Sequence, residues 1–415
     1  MKEQTQAIET FIAKGDIKKA DVLVARLLRA EISERERSDL LVFRARIRLL
    51  SARPDDAIAD LTTIRETSPA MTNSGSLLEL LADCYAARYE LSSVGFSDRN
   101  DAEQALVIYE QIIEQFREYE NLGWVYSQLG RVLLATNQIE QAVECFRQAL
   151  FCPSHIRALT AYCYERLGFI AFYEQRNSQQ SLTFLNKAVH TYPSSEDQAW
   201  LVQVHILRSR VLRDSEPDAA LHAAETALSI ASSSSSENKL TLSEALFTVA
   251  EFLLKRDGRE KDVVNHLQRF LQVSKRPLGV DVTWSRVHEM LGDAHFKLGQ
   301  YPSAIDAYRT ALDLNPYHPW EISVYYRIAR SHYQQGSFDE AVAAIDQLLS
   351  AAQAEDQEVQ DYRVFDVLGN ALFALERYDT ALQAYETALE KAPPNTDLSK
   401  IEKYCEFARE LNQPL

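Results

Sequence analysis

The densest run of side chains able to do chemistry is His288, Glu289, Asp293 and His295, where imidazole and carboxylate alternate over two helical turns. Such a set could ligate a divalent metal or move a proton, since both groups bind zinc and serve as general bases. Packing explains the histidines better. His332 stands 37 residues beyond His295 in a matching context, and a spacing that recurs belongs to a repeating core. A second cluster, Cys145, Cys152 and Cys163, spreads over different predicted elements. With Cys84 and Cys405 the cysteines number five, an odd count without a CxxC pair, which fits neither a disulfide framework nor a zinc site. They are expected to be free thiols, mostly buried. Glu34, Glu36 and Asp39 are expected to serve helix ends rather than a paired-carboxylate site. None of GxSxG, HExxH, GxxxxGKS, GxxxxGKT or GxGxxG occurs. The sequence therefore predicts a protein that is not an enzyme, with no catalytic residue, no cofactor and no metal.

These side chains sit in a chain of 415 residues, 46% apolar and 25% charged, so a packed interior is expected throughout. The length exceeds what one hydrophobic core supports, leaving several domains or one repeat array. A formal charge of −16, with no dense Lys/Arg block against it, would repel a phosphate backbone or an anionic bilayer. Neither nucleic acid nor membrane insertion is expected. No stretch approaches the roughly 20 apolar residues of a membrane span. The start, MKEQTQAIET, lacks a basic and then apolar leader. A cytoplasmic protein is predicted.

Internal repetition decides for an array. The clearest unit is LGDAHFKLGQYPSAIDAYRTALDLNP, from Leu291 to Pro316. Leu368, Gly369, Ala381, Tyr385, Ala388 and Pro393 reproduce the offsets of Leu291, Gly292, Ala304, Tyr308, Ala311 and Pro316. Leu129, Gly130, Ala142, Phe146 and Ala149 do so again, with Pro153 one residue early. Weaker copies centre on Ala45 and Ala329, and others fall near Ile8, Ala82, Gly168, Arg208 and Ala250. Small residues at Gly292, Ala304 and Ala311 let two antiparallel helices approach, while Leu291, Tyr308 and Leu312 fill the space around the contact. One such hairpin cannot bury its apolar stripe alone, so neighbours must stack. The prolines keep this phase. Pro54, Pro217 and Pro302 fall where second helices start, where a missing N–H is harmless, and Pro69, Pro193, Pro316 and Pro393 close units.

The order Leu-Gly, Ala, aromatic, Ala, Pro resembles the tetratricopeptide repeat family. The resemblance covers residues 1–395, in units centred near 8, 45, 82, 130, 168, 208, 250, 292, 329 and 369. It implies an all-α fold, a right-handed superhelical α-solenoid of about ten helix-turn-helix hairpins with a C-terminal capping helix in 396–415. In that last segment Leu398, Ile401, Cys405, Ala408 and Leu411 recur at helical spacing. Unit intervals of 37 to 48 exceed the family's commonest period, as in long-helix arrays of scaffolds and bacterial signalling receptors. The longest interval contains an apparent inserted loop at 89–101, and the serine run from Ser232 to Ser236 reads as a flexible connection.

In this family the first helix of each hairpin lines a concave groove. The resemblance implies that Arg131, Phe169, Tyr173, His205, Glu289, Asp293, Tyr326, Arg330, Tyr333, Asp366 and Asn370, together with Phe172, line it here. Tyrosine and arginine dominate binding hot spots, and Tyr326 with Arg330, one turn apart, are the pair expected to face a ligand. The Lys, Asn, Asn, Lys, Arg set with which chaperone-binding members hold a C-terminal carboxylate is missing. In its place stand Ser127 and Arg131, Tyr326 and Arg330, Asp366 and Asn370. The implied function is a non-enzymatic interaction scaffold, adaptor or subunit of a larger complex that binds a protein or peptide segment in the groove. The alternative, implied by repeat length, is a peptide- or ligand-sensing receptor whose superhelical pitch changes on binding.

Overall fold

The computed structural model describes residues 2–67, 74–91, 99–153, 156–194, 198–233, 238–275, 277, 279–315 and 321–412. Every regular element among them is an α-helix, and the helices fall into two compact units, Met1–Asp197 and Gln198–Leu415. The first unit holds α1 Lys2–Ala13, α2 Ile17–Leu27, α3 Glu34–Leu50, α4 Pro54–Thr67, α5 Gly75–Leu91, α6 Arg99–Gln115, α7 Leu122–Ala135, α8 Ile139–Phe151, α9 Arg157–Tyr173 and α10 Ser178–Thr191. The second holds α11 Ala199–Leu212, α12 Pro217–Ser233, α13 Lys239–Leu253, α14 Glu260–Val273, α15 Val282–Lys297, α16 Tyr301–Leu314, α17 Glu321–Gln335, α18 Phe338–Ala354, α19 Tyr362–Ala374, α20 Tyr378–Lys391 and α21 Ser399–Leu411. No described helix is long and apolar enough to cross a membrane.

Within each unit an odd-numbered helix pairs with the even-numbered helix after it, and that helix packs on the next odd one. All ten repeat positions, from Ile8 to Gly369, lie on odd-numbered helices. The fold is an all-α helical repeat solenoid. α21 buries Ile401, Cys405 and Ala408 against Tyr385 and Ala388 of α20 and so covers that hairpin's apolar face.

The hairpins close at one kind of contact. A Cβ added to Gly292 would lie 2.4 Å from the Tyr308 ring, and one on Gly369 would lie 2.6 Å from the Tyr385 ring, so only hydrogen fits there. Ala45 and Ala329 take the glycine position in two other hairpins. There the residue sixteen places on is aliphatic, Leu61 or Ile345, and all four are fully buried. A larger residue on one helix is matched by a smaller one on the other, as constant packing volume requires.

The turns are equally regular. Gly299 and Gly336 take φ of 72° and 84°, and the next N–H, from Gln300 or Ser337, donates 2.9 Å back to His295 O or His332 O. Ala52, Asn137, Arg176 and Glu376 adopt the same left-handed conformation between other helices. Pro54 and Pro217 open α4 and α12, and Pro302 is the second residue of α16. Ser33 caps α3 with Glu36, whose carboxylate accepts the Ser33 N–H at 3.0 Å, so that acidic residue does serve a helix end. Tyr89 to Leu91 end α5 and Arg99 to Asp101 begin α6, taking both ends of the expected loop at 89–101. Residues 92–98, Pro69, Pro316 and 234–236 of the serine run lie outside the described residues.

Candidate functional site

In the first unit the expected groove residues are largely occupied with one another. Arg131 of α7 reaches back one repeat to Glu90 of α5 at 2.5 Å. On α9 the rings of Phe169 and Tyr173 lie 4.6 Å apart, Phe172 meets Tyr173 at 4.9 Å, and Arg166 stacks on Phe169 at 5.2 Å. Arg166 is itself held by Glu165 at 2.5 Å. All of these aromatic side chains are half-buried.

In the second unit the acidic positions are tied into the fold. Glu289 is only 1% exposed and pairs with Arg286 at 2.7 Å and with Arg327 of the next repeat at 2.5 Å. Burial works to raise its pKa, but the two guanidinium groups outweigh it and hold the carboxyl below its ordinary value. Asp293 accepts from the Tyr308 hydroxyl at 2.7 Å and meets Arg327 at 3.2 Å. Here burial wins and the carboxyl is pushed up. The contact from the tyrosine hydroxyl to a carboxylate or amide oxygen recurs. Tyr109 donates to Asp83 at 2.5 Å and Tyr385 to Asn370 at 3.2 Å, so the residue after the small one on the first helix anchors the ring that fills the hairpin.

Asn370 also donates to Asp366 Oδ1 at 2.7 Å, and Tyr333 rests on Phe338 at 5.7 Å. His205 is buried. Burial, Arg208 and His222 push its pKa down to about 4, so it is neutral at pH 7 and accepts at Nδ1 from Arg208 at 3.2 Å. His288 packs on Trp284 and His295 on Gln300, away from Glu289 and Asp293, and no described group of three His, Cys, Asp or Glu could hold a metal. The five cysteines are free. Burial pushes Cys145 up to about 11 and Cys84 to about 12, where thiolate is scarce.

Arg330 differs from these. Its guanidinium lies 4.8 Å from the centre of the Phe296 ring and 5.7 Å from that of Tyr326, while the side chain stays exposed. No carboxylate among the described residues pairs with it. It lines a cavity of about 400 Å³ with Leu254, Asp293, Phe296, Lys297 and Arg327. It also lines a neighbouring one of about 520 Å³ that includes Tyr326 and Arg363. The other cations there are committed: Arg327 to Glu289 and Asp293, Lys297 to Asp257 at 3.2 Å, Arg363 to Asp361 at 2.6 Å. Two stacked rings fix the orientation of a guanidinium whose donors remain available, which suits it to a carboxylate or a carbonyl from outside. Sequence reasoning placed Tyr326 and Arg330 here and missed Phe296, Arg327 and Arg363. Phe296 lies one turn beyond Gly292, where it was read as part of the repeat rather than of the wall.

Comparison with known proteins agrees with this architecture. Tetratricopeptide repeat models match residues 119–150, 285–354 and 326–396. Over 110 residues the chain is 32% identical to the small glutamine-rich tetratricopeptide repeat-containing protein 2 of Mycosarcoma maydis, covering 26% of this chain and 28% of that protein. The chain thus spans little more than a quarter of that relative's length. A signal transduction ATPase with numerous domains and a tetratricopeptide repeat sensor, from Pyrococcus horikoshii, is similar in fold. Its TM-score is 0.59 at 14% identity, over 92% of this chain and 56% of that one. The apo quorum sensor NprR of B. thuringiensis gives 0.54 at 14%, over 75% and 86%. The repeat matches and the glycine-to-ring contacts that build the hairpins lead to one conclusion: residues 119–150 and 285–396 of the chain are tetratricopeptide repeats.

Proposed function

We propose that the protein is a non-enzymatic interaction module, an adaptor or a subunit of a larger complex. It holds an extended or helical segment of a protein partner against the odd-numbered helices of its second unit. The observation that carries this reading is Arg330, stacked on Phe296 and Tyr326 between two cavities and paired with no carboxylate among the described residues. An aromatic-backed arginine is the kind of anchor that concentrates binding energy. The cavities, about 400 and 520 Å³, are each large enough to take more than one partner side chain. A formal charge of −16 supports a protein partner over a nucleic acid.

The test is capture from native lysate with the tagged full chain and its Tyr326→Ala, Arg330→Glu variant, read by quantitative mass spectrometry. Both side chains lie outside the hairpin core, so the far-UV circular dichroism is expected to stay helical. A partner held by the wild type and lost from the variant supports the reading. A partner recovered equally from both moves binding to another surface.

A further inference from the structure

Away from Arg330, the second unit has a larger cavity of about 700 Å³, walled by α11, α13, α14 and α15. One side of it is aromatic. The Phe247 and Phe270 rings lie 6.3 Å apart and the Phe270 and Trp284 rings 6.2 Å apart, so three successive helices contribute to one continuous row. Phe270 is buried and anchors the row, with Phe247 and Trp284 half-buried on either side.

The acids of this wall are already committed. Asp281 caps α15 by accepting from the Trp284 N–H at 2.8 Å, and Glu244 accepts from Gln203 of α11. Lys239 and Lys275 are not. Both are exposed on the lining, and neither pairs with a carboxylate among the described residues. Ser274 Oγ is buried in the wall without a hydrogen-bond partner, an arrangement that costs about 1–3 kcal/mol until an acceptor arrives. In a chain of net charge −16, the lining of this cavity carries more cations, Arg210, Lys239 and Lys275, than carboxylates, Glu244 and Asp281, and both carboxylates already accept a hydrogen bond.

That combination selects its occupant. A cation would meet two like charges, and a neutral hydrocarbon would leave both ammonium groups without a counter-charge. A flat or branched apolar body packs on the rings, and one negative group answers the lysines. The volume falls within the roughly 300–1,000 Å³ of small-molecule sites. We propose that this cavity binds an amphipathic organic carboxylate of small-molecule size. Its apolar body lies on Phe247, Phe270 and Trp284, and its carboxylate is shared by Lys239 and Lys275. The site has no residue in common with the Arg330 face and does not depend on the function proposed for that face.

The test is a fluorescence titration of the full chain with 8-anilinonaphthalene-1-sulfonate, an aromatic anion, followed by displacement with indole-3-acetate. The wild type is expected to bind one dye saturably and to release it to the carboxylate. Lys239→Glu with Lys275→Glu changes only exposed side chains, so its circular dichroism is expected to match the wild type while the dye binds about tenfold more weakly. Arg330→Glu is expected to leave the titration unchanged. The uncharged dye N-phenyl-1-naphthylamine is expected to bind less tightly than the anion. The proposal is overturned if the double-lysine variant binds the dye as tightly as the wild type, if the neutral dye binds equally well, or if indole-3-acetate fails to displace the anion.

Discussion

Gly292 meets Tyr308 more closely than any other described glycine meets its neighbours: the Tyr308 ring lies 2.4 Å from where a Cβ on Gly292 would stand, and its hydroxyl bonds the next residue, Asp293, at 2.7 Å. One tyrosine thus fills the crossing of α15 and α16 and fixes a carboxylate beside Arg330. Core packing and the candidate binding face share a side chain.

Gly292→Ala should therefore be costly, by about 1–3 kcal/mol, because the ring and two helix backbones have no room to yield. Adding Tyr308→Leu should recover part of that loss, since Ala45 with Leu61 and Ala329 with Ile345 are the alanine-aliphatic solutions the chain already uses. Chemical denaturation of the two single variants and the double variant checks this. Strictly additive losses would show that the two positions do not share one space.

Asp60 is buried on α4 and takes three charged hydrogen bonds, from Arg44 Nε at 2.9 Å, Arg44 Nη2 at 2.5 Å and Arg48 Nη1 at 2.6 Å. Asp60→Asn keeps the shape and removes the charge, leaving two half-buried guanidinium groups without their counter-ion. A loss of about 3–5 kcal/mol is expected in urea denaturation. A loss below about 1 kcal/mol would mean that water serves both arginines.

Glu79 of α5 should make the first unit less stable as pH rises. Burial pushes its pKa up to about 7 from 4.5, nearby Asp83 adds to the effect, and the Tyr119 hydroxyl at 2.8 Å only partly offsets it. Since the folded pKa is the higher one, the stabilisation is complete below 4.5 and is lost as pH climbs through 7. After discounting for solvent, the change is about 1–2 kcal/mol. Melting temperatures at pH 5 and pH 8 measure it, and Glu79→Gln should flatten the difference. An unchanged slope in that variant would assign the effect to another group.

Arg208 of α11 stands sixteen residues before Ala224, the spacing that separates Gly292 from Tyr308 and Gly369 from Tyr385. The size relationship is reversed, and among the described residues the guanidinium's hydrogen-bond partner is neutral His205 at 3.2 Å, with Nε buried and unpartnered. Burial alone pushes its pKa down. Arg208→Met keeps the length and removes the desolvated charge, so it should raise stability by about 1 kcal/mol. A fall of the same size in the denaturation midpoint would contradict this.

Much of the architecture was legible in the sequence because repeat packing is local. The glycine, the ring sixteen residues later and the proline that opens a second helix all lie within one hairpin, so their spacing alone marked the paired helices that carry them. The terminal helix was equally legible, from Ile401, Cys405 and Ala408 at helical spacing. Tyr326 and Arg330 could be singled out for the same reason, being one turn apart on one helix.

What the sequence could not supply was the state of each groove residue, because that depends on contacts between repeats. Glu289 and Asp293 read as groove acids until Arg327, 38 and 34 residues away, was seen to hold both. Asn370 is likewise claimed by Asp366 and Tyr385. Arg330 remains available because Phe296, from the preceding repeat, supplies a ring, while the nearby carboxylate of Asp293 is held by Tyr308 and Arg327. The sequence by itself determined the helices, their pairing and which residues share a helix face, since periodicity sets direction within a helix and a hairpin. Tertiary structure alone decided which charges on that face are spent and which stay free, because the rotation and separation of successive hairpins bring distant side chains within hydrogen-bond reach.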